Sequence, residues 1–208
     1  MKILIFGSSG QLGKALAREL KKYNLILIDK TKCDLRNLNC IKQVINDSKP
    51  KLIINAAAFT NVDMAERKKK EAFKINCDAP KVMAQKSYKL GIPFIHFSTD
   101  FVFSGNKNKY TERSKKNPLN YYGYSKSKGE DEIKEVGGKF FIFRTSWVYS
   151  NIGNNFFLTI KEKVKSKKKL YVVNDQKSVP TPSYFLAKKI KQIIPHIFDA
   201  DKSGIFHL

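Results

Sequence analysis

Short apolar runs alternate along the whole chain with longer stretches whose apolar residues recur at helical spacing. The runs Lys2 to Phe6, Leu25 to Ile28, Leu52 to Asn55, Phe94 to Ser98, Phe140 to Arg144, Leu170 to Val173 and Gly204 to His207 read as strands. Helices are predicted near Gln11 to Tyr23, Leu38 to Asp47, Ala65 to Leu90, Tyr121 to Glu135, Asn155 to Lys165 and Ser183 to Ile197. Strand-length and helix-length segments in strict alternation are the pattern of parallel strands joined by crossover helices. The expected fold is therefore α/β, Rossmann-like and doubly wound, with a mostly parallel sheet and helices on both faces. Right-handed crossovers then bring every strand's carboxyl end, and any site built there, to one edge of the sheet. No repeat, linker or internal boundary interrupts the 208 residues, so a single domain over 1–208 is expected.

The turn after the first strand is GSSGQLG, Gly7 to Gly13, followed at once by the helical pattern Leu12, Leu16, Leu20. In that position Gly7 permits a tight turn, Gly10 lets backbone approach a phosphate, and Gly13 lets the helix pack on the sheet. The helix's amino end then favours an anion, which makes a dinucleotide pyrophosphate the expected occupant. The spacing G-x-x-G-x-x-G departs from G-x-G-x-x-G, and three glycines in seven residues also make an ordinary turn. Asp29 follows the second strand, 22 residues after Gly7, where a carboxylate can accept hydrogen bonds from an adenosine ribose. That favours NAD, whereas the adjacent Lys30 and Lys32 suit the extra phosphate of NADP, so NADPH and NADH both stand as expected cofactors. The other reading of Asp29 is a polar residue closing a strand.

The formal charge is +22, but of 40 basic residues only Arg18, Arg36, Arg67, Arg113 and Arg144 are arginine. Base reading and bidentate phosphate pairing favour Arg, and the runs Lys68 to Lys70 and Lys167 to Lys169 carry no interleaved aromatics. We read the excess as a lysine-biased surface and expect no nucleic-acid partner. Cys33, Cys40 and Cys77 form no C-x-x-C pair, and His96, His196 and His207 no ligand spacing, so reduced thiols and no metal are expected. The first apolar run is short and ends in the glycine turn, so a cytoplasmic chain with no membrane partner is expected.

Chemistry-bearing residues gather at the predicted strand ends. The third strand runs into Asn55-Ala56-Ala57-Ala58, small enough to admit a flat ring or ribose, though small residues also simply pack tightly. The fourth runs into Ser98-Thr99-Asp100, whose hydroxyls could equally cap a turn. The next helix carries Tyr122 and Lys126, at i and i+4 and so on one face. An ammonium beside a phenol lowers its pKa; taking tyrosine from about 10 to about 7 needs about 4 kcal/mol and gives a proton donor matched to neutral pH. Tyr-x-x-x-Lys recurs by chance in a lysine-rich chain, as Tyr124/Lys128 and Tyr184/Lys188 show. Position selects the first pair, because it opens the helix that follows the fourth strand.

With the strings NAAAFTNVDMAE, STDFVFSG, PLNYYGYSKSKGE, FRTSWVYS and VVNDQKSVPT added to GSSGQLG, in this order over nearly the whole chain, the sequence resembles the extended short-chain dehydrogenase/reductases, and among them the dTDP-4-dehydrorhamnose reductases. The resemblance implies an NAD(P)H-dependent reduction of the 4-keto group of a nucleotide-linked deoxy sugar for polysaccharide precursors. It implies that Thr99, Tyr122 and Lys126 are catalytic. Cofactor contacts would come from Gly10, Gln11, Leu12, Asp29, Asp34, Leu35, Ala57, Ala58 and Phe59, joined by Gly7, Gly13, Tyr122 and Lys126. Thr99, Asp100 and Trp147 would face the sugar nucleotide, with 147–169 on the substrate side; the other reading of Trp147 is a core aromatic. Such reductases usually continue past the strand that resembles Gly204 to Leu208, so the C-terminal substrate lobe is expected to be mostly absent here. A catalytically silent nucleotide-binding subunit on the same fold, or a related sugar-nucleotide epimerase or ketoreductase, are the alternatives. The expected partners are a sugar nucleotide and a second copy of the chain as a homodimer.

Overall fold

The structure, a computed structural model, describes residues 1–153, 155–165, 178–198 and 203–208. Six strands form its main sheet: β1 (Lys2–Phe6), β2 (Asn24–Ile28), β3 (Leu52–Asn55), β4 (Phe94–Thr99), β5 (Phe140–Thr145) and β8 (Gly204–His207). They lie in the order β2-β1-β3-β4-β5-β8 and every pairing is parallel. A second ribbon pairs β6 (Val148–Tyr149) with β7 (Thr181–Pro182). The expected doubly wound sheet is therefore present. The predicted strand Leu170 to Val173 lies outside the described residues.

Burial on both faces explains the unbroken apolar runs, since parallel strands covered by helices have no wet side to alternate toward. One core layer gathers Ile3, Ile5, Leu52, Ile54 and Ile95 against Leu16 of α1 (Gln11–Glu19), the C-cap Leu20 that follows it, and Leu186 and Ile190 of α8 (Ser183–Ile193). On the other face Leu4, Phe6, Ile53 and Phe94 meet Ile41 and Ile45 of α2 (Leu38–Ser48), Met83 of α5 (Ala79–Leu90) and Ile133 of α6 (Tyr121–Val136). α7 (Phe156–Lys165) buries none of its residues.

The chain steps from β1 out to β2 and then back across β1 to β3, so the winding reverses between β1 and β3. A crevice opens at the carboxyl ends of the strands at such a reversal. The glycine turn after β1 and the alanines after β3 border it.

One expectation fails. The continuous helix predicted over Ala65 to Leu90 is instead α3 (Val62–Arg67), α4 (Lys69–Phe73), a π-helical turn (Lys74–Asp78) and α5. Lys68 leaves helical geometry at φ −114°, ψ 49°. The π turn then carries the buried Asn76 into hydrogen bonds with Phe59, a long-range demand that local periodicity does not register.

Candidate active site

One cavity of about 1240 Å³ occupies the crevice. It exceeds the roughly 300–1,000 Å³ of a pocket for a drug-sized ligand. Its floor is the glycine turn. Gly7 has φ +79°, and a Cβ there would lie 2.6 Å from the Ala57 amide nitrogen, so the β1 turn and the β3 loop touch backbone to backbone. A Cβ on Gly13 would fall 2.1 Å from the Gly7 carbonyl oxygen; Gly13 packs α1 against the turn and does not line the cavity. Gly10, the N-cap of α1, supplies no side-chain cap and the first turn holds no acidic residue, an end that suits an anion. Gly7, Gly10, Gln11 and Leu12 line this end.

Asp29, Asp34 and Leu35 form the rim beyond β2. Asp29 Oδ1 accepts from the Thr31 amide (3.0 Å), the Thr31 hydroxyl (2.6 Å) and the Lys32 amide (3.1 Å). The Thr31 hydroxyl, foremost among these donors, holds the carboxyl below its ordinary range. Asp34 is clasped by Arg36, with its Oδ2 2.5 Å from the guanidinium, and Arg36 also reaches Glu71 at 3.5 Å. Ala57, Ala58 and Phe59 form the wall after β3. The buried Asn76 accepts from the Phe59 amide (2.8 Å), donates to the Phe59 carbonyl (3.0 Å) and donates to Ser125 of α6 (3.0 Å). This brace, which ties the loop to the helix bearing Tyr122, was missed in the sequence; an isolated asparagine inside a presumed helix gives no signal.

The opposite wall holds Thr99, Asp100, Tyr122, Lys126 and Trp147. α6 can lie this close because Gly123 faces the Phe101 carbonyl, where a Cβ would be 2.1 Å from the oxygen. Thr99 donates to Asp100 Oδ1 (3.1 Å) and accepts from the Phe101 amide (3.2 Å). Asp100 Oδ2 accepts from Ser146 (2.7 Å) and Ser178 (3.1 Å), whose hydroxyls also bond each other. Neither serine was singled out from sequence, although both lie in the strings that carry the family resemblance. Trp147 is half-buried against Phe156, with ring centroids 5.3 Å apart, and holds φ +42°. A non-glycine residue in the left-handed region is uncommon and costs energy, and this one sits on the cavity wall, not in the core. Tyr124 and Tyr184, of the other two Tyr-x-x-x-Lys pairs, are 40% and 67% exposed.

The expected lowering of the Tyr122 pKa is not what the structure shows. Burial pushes the phenol up to about 12, against a hydrogen bond with Thr99 that pulls it down, and Asp100 adds to the rise. Lys126 is not among the groups that shift it here. Its Nζ donates to the Phe97 carbonyl (2.6 Å) and meets His96 Nε2 at 3.0 Å, and burial draws its own pKa down to about 8. An amine titrating near 8 keeps its proton through most of the neutral range, but its charge is no longer fixed as the i, i+4 argument assumed.

Among the described residues no group of three or more His, Cys, Asp or Glu side chains is placed to hold a metal ion, and no helix is long and apolar enough to cross a membrane.

A doubly wound sheet with a cavity of this size at the switch point, floored by a glycine turn and a helix end without a side-chain cap, defines a nucleotide-binding α/β protein. The family model described as RmlD substrate binding domain matches residues 1–208, and the chain belongs to that family. It is 38% identical over 215 residues to a dTDP-4-dehydrorhamnose reductase of Escherichia coli strain K12, covering 100% of this chain and 72% of that protein. It is 34% identical over 210 residues to the spore coat polysaccharide biosynthesis protein SpsK of Bacillus subtilis, covering 98% and 74%. Among solved structures, a dTDP-4-dehydrorhamnose reductase of Bacillus anthracis in complex with NADP superposes with a TM-score of 0.93 at 36% identity, covering all of this chain and 73% of that one.

Proposed function

We propose that this chain reduces the 4-keto group of dTDP-4-dehydrorhamnose to give dTDP-L-rhamnose, with NADPH or NADH as reductant. The observation that carries this reading is the convergence of Thr99, Tyr122 and Lys126 on the wall of the same cavity whose floor is the glycine turn. The residues fit a dinucleotide. The Gly7 cradle leaves no room for a side chain, α1 opens without a side-chain cap, and Asp29 stands at the ribose end.

When bound, the reduced nicotinamide supplies the hydride that goes to C4. Tyr122 gives its proton to the ketone oxygen, which becomes the hydroxyl. A phenol held near 12 stays protonated through neutral pH, so the donor is loaded whenever substrate arrives. Its loss of that proton is then the costly event, and Lys126, one helical turn on and lining the same cavity, offsets the phenolate charge when it carries a proton. Thr99 orients the carbonyl, while Asp100, fixed by Ser146 and Ser178, and Trp147 face the sugar nucleotide. The stretch from 147 into α7 forms the substrate side of a single domain. We place the reaction in the cytoplasm.

Replacing Tyr122→Phe should abolish consumption of the nicotinamide absorbance with the keto sugar nucleotide while dinucleotide affinity is retained. Reduction at the parent rate in that variant overturns the assignment.

A further inference from the structure

Three side chains and two backbone groups stand in one hydrogen-bonded file whose middle the proposed reaction does not use. The Ala57 amide donates to Asn55 Oδ1 (3.1 Å), Asn55 Nδ2 meets His96 Nδ1 (3.1 Å), His96 Nε2 meets Lys126 Nζ (3.0 Å), and Nζ donates to the Phe97 carbonyl (2.6 Å). Asn55 and His96 are fully buried and Lys126 is 1% exposed, so water cannot repair a mismatch along the file.

The direction of the file is set from its backbone end. A backbone N–H only donates, so the oxygen of Asn55 must face Ala57 and its NH₂ must face the ring; the reverse amide orientation would oppose two donors. His96 Nδ1 therefore accepts. A neutral imidazole carries one proton, which must then sit on Nε2 and point at Lys126. Nζ can meet that proton only with a lone pair, which an ammonium lacks.

We propose that His96, oriented by Asn55, is a positioning residue that holds Lys126 as a free amine and couples its proton state to the loop at Ala57. This inference rests on the reading of Lys126 as part of the reducing site. Protonation of Lys126 reverses the file. With one proton taken from solvent, Nζ donates to Nε2, His96 carries its proton on Nδ1, and the Asn55 amide turns its oxygen to the ring, which releases the Ala57 N–H into the cleft.

Among the other groups around Lys126, the Glu130 carboxylate favours the protonated amine, which burial and the file through His96 oppose. On α6, Tyr122 lies one turn before it and Glu130 one turn after, but Glu130 is taken by Arg144 of β5 (2.7 and 2.9 Å) and Ser98 of β4 (2.5 Å), with Lys116 at 3.5 Å. Asp100 is held by Ser146 and Ser178. Asp78 of the π turn faces Lys74, Lys81 and Glu132. Burial lowers the proton affinity of both His96 and Lys126, the amine to about 8, so the neutral pair belongs to the range above about pH 8.

Long-range ¹H–¹⁵N NMR on the labelled full chain reads the His96 tautomer without any substrate. At about pH 9 the expected state is a neutral ring protonated on Nε2; a ring protonated on Nδ1, or an imidazolium, overturns the proposal. The near-isosteric Asn55→Asp offers two acceptor oxygens, one for Ala57 N–H and one for His96 Nδ1–H, and so reverses the file for good. It should move the ring proton to Nδ1 and raise the Lys126 midpoint by about tenfold or more in proton affinity, with the kcat–pH profile shifting the same way. His96→Gln, which retains an amide donor toward Nζ, should keep the parent profile, whereas His96→Leu should not. An unchanged tautomer in Asn55→Asp sinks the coupling. Should the keto sugar not be reduced at all, the functional reading fails while the tautomer still decides this proposal.

Discussion

Glu130 is the group on which the back wall of the site is most exposed to a single substitution. It has no solvent exposure, and its two carboxylate oxygens accept from Arg144 Nε (2.9 Å), an Arg144 terminal nitrogen (2.7 Å) and the Ser98 hydroxyl (2.5 Å), with Lys116 3.5 Å away. Arg144 is itself 4% exposed. Glu130→Ala therefore strands a buried guanidinium. Its remaining neighbours are the Phe103 ring at 4.9 Å, the Glu112 carbonyl at 3.4 Å and His207 at 3.4 Å, and the Glu112 carboxylate, itself exposed, attracts it without a direct hydrogen bond to the guanidinium. Breaking a buried pair from one side costs about 3–5 kcal/mol, which for a chain of this length lowers the unfolding midpoint by about 6–20 °C. Replacing both partners, as in Glu130→Leu with Arg144→Met, leaves no orphan charge and should recover most of that loss. Thermal and urea unfolding followed by circular dichroism give both numbers. A Glu130→Ala variant within about 1 kcal/mol of the parent, or a double variant no better than the single, would refute the reasoning.

Gly13→Ala sets a methyl 2.1 Å from the Gly7 carbonyl oxygen and should destabilise the fold by about 1–3 kcal/mol or more, read by urea unfolding. Gly10→Ala meets that oxygen at only 3.3 Å, so its unfolding midpoint should move less. Asn76→Ala leaves both Phe59 backbone groups without their partner, at a cost of about 1–3 kcal/mol each if they stay dry, and should weaken dinucleotide binding in a fluorescence titration. The buried Lys126 gives a pH signature. Its folded pKa of about 8 lies below the 10.5 of an exposed lysine, so the unfolded chain binds the extra proton and stability rises with pH between these values, by at most about 1.4 kcal/mol per unit. The clean window is about pH 8 to 9, because the buried thiols Cys33 and Cys77, pushed up to about 12 from 9.0, reverse the trend above it. Lys126→Met should flatten the slope of unfolding free energy in that window; an identical slope in the variant would contradict the buried-amine assignment.

What the sequence disclosed and what it withheld divide along the distinction between local and tertiary constraint. Strand identities were legible because parallel strands buried on both sides need continuous apolar runs, and Ile3 to Phe6 or Phe94 to Phe97 admit little else. The glycine turn was legible because positive φ at Gly7 and contact at Gly13 are demands only glycine meets. The break between Lys68 and Ala79 was not, since each residue there tolerates a helix and the interruption answers to Asn76 reaching Phe59. Spacing put Tyr122 and Lys126 on one helix face, and both do line the cavity, yet the inferred electrostatics had the wrong sign. The i, i+4 rule locates side chains but says nothing of the medium between them. Here burial governs both groups, raising the phenol and lowering the amine, and the partners that direct Nζ come from β4, about thirty residues away in sequence. An ionisable pair read from spacing alone thus fixes where the chemistry sits, while its proton affinities depend on residues such as His96 and Asn55, whose part in the site no local pattern announces.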